Sequence, residues 1–516
     1  MPETPSPADT QAGLDPRRWK ALTFIAIAQL MVVLDATIVN IALPSAQTDL
    51  GISDANRQWV ITAYALAFGG LLLFGGRIAD MWGRKRSFVT GLIGFAAASA
   101  LGGAATGEAM LLAARALQGA FGALLAPAAL SLLAVMFTDG KERAKAFGIY
   151  GAIAGGGGAI GLILGGVLTE YLDWRWTFYV NVPFAVIAAL GAASVIREPS
   201  GTRNRSALDI PGVILSTLGL VSLVYGFTRA ETDGWSEGGT IAMFVAAVVL
   251  LGAFALVESK LRAPLLPLRV VTDRNRGGVY LSLGLAVIAM FGLFLFLTYY
   301  LQVVKGYSPV RTGVAFLPMV AGMIAGSTQI GARLMTRVPA RLLMAPGFLT
   351  AALGMLMLTQ LEVDSSYPAL ILPAEVLLGL GLGTAFMPAM SLSTHGVRPS
   401  DAGVASAMVN TSQQVGGAIG TALLNTIAAS ATTSYVTGHM AEATSKPAQK
   451  MLKLEAMVHG YTSAIWWAVG ILLVSATLVT VLVNARGNQA PGKTLDGETE
   501  GDGPGGEPEP VLAAMH

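Results

Sequence analysis

Cysteine is absent from all 516 residues. That excludes disulfides, thiolate metal sites and cysteine nucleophiles, and it leaves the redox compartment unread. Histidine occurs only four times, at His395, His439, His459 and His516, with no spacing suited to holding a metal. Charge is scarce as well: 12% of residues are charged, against about 25% in a soluble domain. A net charge of +2 lacks the bulk basicity of a nucleic-acid binder. No G-x-x-x-x-G-K-[ST] loop occurs, and GLGLG at Gly379–Gly383 sits in an apolar run without a preceding strand, where close helix packing explains it. No Ser/His pair, paired Asp or metal cluster is evident within the apolar runs, which argues against an enzyme. The lack of a large soluble domain argues against a sensor.

What remains is hydrophobic: 53% of the chain. Apolar stretches long enough to cross a bilayer lie near 21–46, 57–77, 87–106, 109–136, 143–168, 175–196, 210–228, 240–258, 278–303, 312–334, 341–360, 369–394, 403–431 and 461–484. The reading is an all-α polytopic membrane protein with 14 transmembrane helices. The first run lacks a small-residue cleavage site and is predicted to be a retained span. With the N-terminus placed in the cytoplasm, 24 Lys and Arg fall on the inner side and 8 on the outer, with Arg115 alone inside a span. That alternation predicts cytoplasmic termini at both ends. Residues 1–16 and 486–516 are rich in Pro, Gly and acids and are predicted to be disordered. Segment 432–460 is predicted to be an external loop carrying a short amphipathic helix around Ala448–Val458.

Ionisable groups inside such spans are costly and mark function by default. In TFIAIAQLMVVLDATIVNIALP (Thr23–Pro44), Asp35 falls near the bilayer centre, where a charge costs at least about 2.5–3.5 kcal/mol. Arg115 in span four shares a helix face with Gln118, Gly119 and Gly122. Two readings stand for this cation: it caps carbonyls and holds span four to span one, or it tunes the proton affinity of Asp35, its nearest acid by depth. Asp35 is expected to face a central cavity, or else to be a buried structural acid bonded to polar neighbours; Asn40 is expected to help pack span one. Glu375, in span twelve, is either a second proton or cation site or a group solvated near the outer mouth. Asn410, Gln413 and Gln414 share a face of span thirteen and either line the cavity or bond a neighbouring helix. Gly161, Gly165 and Gly166 in span five are small residues that let helices approach closely.

FGGRIADMWGRKRSF (Phe74–Phe88), after span two, carries the spacing G-x-x-x-D-x-x-G-R-K and resembles the signature loop of the major facilitator superfamily. GARLMTRVPAR (Gly331–Arg341) looks like a degenerate second copy with Met335 in place of the acid, as two similar halves would give. LDATIVNIALP (Leu34–Pro44), WVITAYAL (Trp59–Leu66), RALQG (Arg115–Gly119), WRWTFYVNVP (Trp174–Pro183) and NTSQQVGGAIGTAL (Asn410–Leu423) are similar to motifs of that family's 14-span drug:proton antiporter branch. The likeness covers roughly 20–485. It implies a bundle of six helices at 17–200, two inserted helices at 201–262 and a second bundle at 263–485. It implies gating roles for Gly76, Asp80, Gly83, Arg84 and Lys85, and proton coupling or substrate binding at Asp35, Arg115 and Glu375. The pattern departs in span five, where the family's G-P-x-x-G-G reads Gly161-Leu162-Ile163-Leu164-Gly165-Gly166, so that glycine must supply any bend. The expected activity is proton-coupled efflux of lipophilic drugs or antibiotics across the plasma membrane by alternating access, the alternative being export of an endogenous metabolite, lipid or amino acid. Partners are the lipid bilayer, protons and a small lipophilic substrate, cations included, with no nucleic acid, no cofactor beyond the proton gradient and function as a monomer.

Overall fold

In the computed structural model the described residues are 17–484, apart from 55, 138–139, 197–208, 262–263, 336, 395–396, 398–401 and 443. The termini expected to be disordered lie outside them. Every regular element among the described residues is helical. The first half contains α1 (Arg18–Leu50), α2 (Trp59–Trp82), α3 (Arg84–Gly103), α4 (Glu108–Met136), α5 (Gly140–Tyr171), α6 (Trp176–Tyr179) and α7 (Asn181–Val195). A pair, α8 (Ile210–Thr232) and α9 (Gly238–Lys260), follows. The second half contains α10 (Leu268–Val271), α11 (Arg274–Tyr299), α12 (Pro309–Ala315), α13 (Leu317–Ala325), α14 (Ala332–Leu334), α15 (Arg341–Leu358), α16 (Leu372–Thr394), α17 (Ala402–His439) and α18 (Lys446–Leu482).

Twelve helices among the described residues are long and apolar enough to cross a membrane. The fourteen expected from sequence also include α3, which falls short by composition, and α5, whose apolar stretch among the described residues is shorter. α3 is built largely of Gly, Ala and Ser behind three basic residues, and the apolar helix described within α5 is Gly157–Tyr171. Small residues give little hydropathy per turn while still packing well. Helix α5 is nonetheless continuous without the family's proline.

Local chemistry accounts for the breaks. Pro318 has no N–H to continue the helix from α12, and the chain restarts as α13 after Phe316. A π-helical turn at Gly326–Gly331 then links α13 to α14. Gly83 has φ 113° and ψ 134°, a positive-φ backbone that favours glycine and turns the chain sharply after α2. One expectation is corrected: 432–460 is not a loop around a short helix. α17 runs to His439, and Ala448–Val458 belongs to the 37-residue α18. The Ser445 side chain accepts from the Ala448 N–H and Pro447 sits in the first turn, so α18 starts there and continues unbroken. Tyr435 stacks on His439 of its own helix at 4.2 Å and meets the tilted ring of His459 at 4.9 Å, which ties the end of α17 to α18.

Packing groups the helices into two bundles. α1 packs on α5 and α7, and α4 on α2 and α3; in the second half α11 packs on α17 and α18, and α16 on α13 and α15. The bundles meet where α2 lies along α17 and α5 along α12. α8 and α9 pair with each other, and α8 leans on α2 and α17.

Candidate functional site

Asp35 lies mid-way along α1 and Arg115 in the first half of α4, and the α1–α4 crossing brings them together. Arg115 Nη1 donates to Asp35 Oδ2 at 2.7 Å, with the acid 0% and the cation 1% exposed. Polar neighbours bond both members of the pair, as buried charge requires. Gln118 Nε2 and Asn181 Nδ2 each donate to Asp35 Oδ1 at 2.8 Å. Gln118 Nε2 also reaches Ser99 Oγ at 2.8 Å, and Arg115 Nη1 donates to Gln118 Oε1 at 2.8 Å. Arg115 Nε donates to the Val60 carbonyl at 2.9 Å, and its guanidinium lies 4.4 Å from the Tyr64 ring centroid. The network draws on α1, α2, α3, α4 and α7, which makes it the polar centre of the first bundle. Gly119 permits this approach, since a Cβ there would stand 2.3 Å from the Tyr64 carbonyl oxygen.

Arg115 therefore caps a carbonyl, that of Val60 on α2, and holds span four to span one through Asp35. The expectation that Asp35 faces a central cavity does not hold in this conformation. A cavity of about 20 Å³ between the bundles is lined by Arg115, Tyr64, Gln414 and Phe291, with Asp35 behind Arg115. That volume suits a water and not a drug-sized molecule, which needs roughly 300 Å³ or more. Gln414 thus lines the space between the halves, whereas Gln413 and Asn410 are half-buried on α17 and do not line it. Asn40 donates to the Ala36 carbonyl of its own helix at 3.0 Å, and its side chain is buried, consistent with a packing role.

Glu375 is 0% exposed, which removes the reading of a group solvated at the outer mouth. The α16 helix carries it into the second bundle against Tyr367, whose hydroxyl lies 3.3 Å from Glu375 Oε2 and donates its single proton to the Ala315 carbonyl at 2.6 Å. Glu375 Oε1 has no hydrogen-bond partner. None of the Glu375 contacts joins it to Asp35.

Among the described residues, six hydrogen-bonded pairs join the two bundles, all at the end that carries the 51–58 and 305–308 turns. Arg57 Nε and Nη2 donate to Asn425 Oδ1 at 3.3 Å each, and Asn425 Nδ2 donates to Gln58 Oε1. The Thr62 and Thr421 hydroxyls are 2.8 Å apart. Tyr299 donates to Gln47 Oε1, Gln302 Nε2 to the Ile41 carbonyl at 3.0 Å, and the Val310 N–H to Glu170 Oε2 at 2.9 Å. Glycines close the remaining gaps. A Cβ on Gly166 would meet Val310 Cα at 2.7 Å, and one on Gly313 would meet the Leu162 carbonyl oxygen at 2.3 Å. Gly161 and Gly165 instead abut Thr37 and Ile38 of α1.

At the opposite end, the loop after α2 is anchored by Lys85 Nζ, which donates to the Ala193 carbonyl at 2.7 Å. A Cβ on Gly76 would stand 3.6 Å from Pro127 of α4, and Arg84 opens α3. The Asp80 side chain lies outside the described residues. Sequence reasoning missed Asn181, Ser99 and Tyr64 as members of the Asp35 network. Asn181 and Tyr64 stood inside quoted motifs but bore no charge to single them out, and Ser99 lies in an Ala- and Gly-rich run.

Comparison with known proteins agrees with this arrangement. The family model of the Major Facilitator Superfamily matches residues 25–421. Puromycin resistance protein pur8 of Streptomyces alboniger is 54% identical over 92% of this chain and 93% of its own length. Cephamycin export protein CmcT of Amycolatopsis lactamdurans is 41% identical over 80% of this chain and 85% of its own. In fold, the chain is similar to a bacterial homolog of the human lysosomal transporter Spinster in its inward-facing and occupied conformation, with a TM-score of 0.66, 16% identity and coverage of 91% and 97% of the two chains. This chain belongs to the major facilitator superfamily, within reach of antibiotic-export and resistance proteins.

Proposed function

We propose that the protein exports lipophilic, antibiotic-like compounds across the bacterial plasma membrane in exchange for protons, by alternating access between its two bundles. The observation that carries this reading is the buried Asp35–Arg115 pair with its hydrogen-bonded surround. Removing one partner of a buried pair costs about 3–5 kcal/mol, so a proton on Asp35 and the freeing of Arg115 are coupled events. Arg115 alone of the two reaches the space between the bundles, so its release alters the cavity wall. A proton delivered through the opposite opening resets the pair. One proton crossing 100 mV supplies about 2.3 kcal/mol, enough for a roughly fiftyfold gradient of a neutral solute.

The topology belongs to the same proposal: fourteen spans, α8 and α9 as the inserted pair, both termini cytoplasmic, and each chain acting as a monomer. With that orientation the six inter-bundle pairs form an outer seal. Gly76, Asp80, Gly83, Arg84 and Lys85 then gate the inner face, and Glu375 serves as a second acid in the other bundle. Relatives named for puromycin resistance and cephamycin export favour a drug-like substrate. Export of a self-made metabolite uses the same machinery, and a name such as cephamycin export fits that reading too.

The test is efflux in proteoliposomes with an imposed proton gradient, using puromycin and ethidium as probes. Wild type is expected to drive both or either against the gradient, and Asp35→Asn is expected to lose gradient-driven transport while retaining downhill exchange. Uphill transport by Asp35→Asn at the wild-type rate overturns proton coupling at this residue.

A further inference from the structure

A second pair of buried acids lies far from Asp35 in the chain, where α8 begins and α9 ends. Asp209 is the N-cap of α8, with Oδ1 accepting from the Gly212 N–H at 2.9 Å. Glu258 is in the last turn of α9, with Oε2 accepting from the Leu266 N–H at 3.0 Å. The two carboxyls are 7% and 2% exposed. Their other oxygens, Asp209 Oδ2 and Glu258 Oε1, are buried and have no hydrogen-bond partner. Those same two oxygens lie 2.2 and 2.8 Å from the point where a Cβ on Gly212 would stand, so they are at most the sum of those lengths apart. Only glycine leaves the space between them open.

Ionised carboxylates accept and never donate, so this arrangement leaves two buried acceptors confronting each other. One shared proton satisfies both, and like charges this close do not both ionise. Among the described residues, the neighbouring cations are engaged elsewhere or exposed. Arg77 of α2 bears on Glu258 electrostatically, but its Nη2 donates to the Pro264 carbonyl at 2.7 Å. Lys260, at the end of α9, and Arg269, on α10, are exposed. α17, which also packs on α8, brings only Tyr435 and His439, near its C-terminal end. Leu265 and Leu266 are buried and close the site off from water.

We infer that Asp209 and Glu258 hold one proton between them, forming a proton-binding site separate from the Asp35–Arg115 pair. The site ties the inserted helices, through the 264–266 linker and Arg77, to the helix that ends in the signature loop. Losing the proton places two negative charges side by side in a dry site and loosens α8 and α9 from α2. The proton site stands whatever the transported compound is and whichever way the chain is oriented.

The test is infrared spectroscopy of the purified full-length chain in lipid nanodiscs, reading the C=O stretch of protonated carboxyls. Wild type is expected to show this band at neutral pH. Glu258→Gln and Asp209→Asn are each expected to lose one carboxyl's worth of it, because the amide N–H₂ replaces the proton as donor. Asp35→Asn and Glu375→Gln are expected to keep that component. A wild-type spectrum with no protonated-carboxyl band at neutral pH overturns the inference without any variant. So does a band unchanged in both Glu258→Gln and Asp209→Asn. Stoichiometric Ca²⁺ or Mg²⁺ binding that is abolished in these two variants also overturns it, by showing a metal ion where the proton is assigned.

Discussion

Asn425→Ala removes the centre of the contact that closes one end of the two bundles. The change deletes both bonds from Arg57 to Asn425 Oδ1 and the bond from Asn425 Nδ2 to Gln58. A hydrogen bond to a charged group is worth about 1.5–3 kcal/mol and a neutral one about 1 kcal/mol. Arg57 keeps the Tyr299 ring, 4.1 Å away, and Asp54 at 3.4 Å, so the loss sits at the low end of that range. About 2 kcal/mol shifts an equilibrium roughly thirtyfold toward the open form, because the bonds exist only when the bundles meet. The chain's lack of cysteine makes the assay clean. Spin labels on cysteines replacing Leu172 and Val303, which are 59% and 45% exposed and lie on opposite bundles, report the separation by pulsed dipolar spectroscopy. The expected result is a new, longer distance population in Asn425→Ala. A distribution superimposable on wild type refutes the assignment of this contact as a seal.

Other outcomes follow from the same geometry. Gly313→Ala is expected to prop the same end open, because its Cβ meets the Leu162 carbonyl oxygen at 2.3 Å and backbone does not yield; Gly161→Ala meets the Thr37 side-chain hydroxyl and is expected to be milder in the same distance assay. Asn181→Leu removes a donor from Asp35 and leaves the acid's second oxygen with Gln118 alone; about 1–3 kcal/mol of stability is expected to go, read as a lower melting temperature in detergent. Glu237 is held below the usual carboxylate range by the backbone N–H groups of Gly239 and Thr240. Its contribution to capping α9 is expected to be present at neutral pH and lost as pH falls through that lowered value, and Glu237→Gln is expected to flatten this part of the stability–pH curve.

Much of the fold was legible because lipid imposes a simple rule: apolar runs become helices and charge marks exceptions. Asp35 and Arg115 stood out for the cost of placing charge in lipid, and they are indeed partners. Asn181 and Ser99 did not stand out, because an uncharged polar residue costs little in a sequence and its partner is set by helices far apart in the chain. The run of Gly, Ala and Ser in α3 lowers its hydropathy, since small residues trade hydropathy for close packing. Helix α18 extends beyond its apolar part because Ser445 and Pro447 start it early, a capping signal that a hydropathy reading passes over. Of the two readings open for Glu375, the solvated one drew on distance along the chain alone, whereas the packing of α16 on α13 and α15 buries the residue. The Asp209–Glu258 pair escaped notice because each acid sits at a span end, where a carboxylate normally meets water.

The central claim is that Asp35 exchanges a proton as Arg115 is freed. Its most direct test is proton release from purified protein when a transported compound is added in weak buffer, compared between wild type and Asp35→Asn. Release of about one proton per chain by wild type, and none by the variant although the compound still binds, is the predicted result. Equal release by both proteins would contradict it.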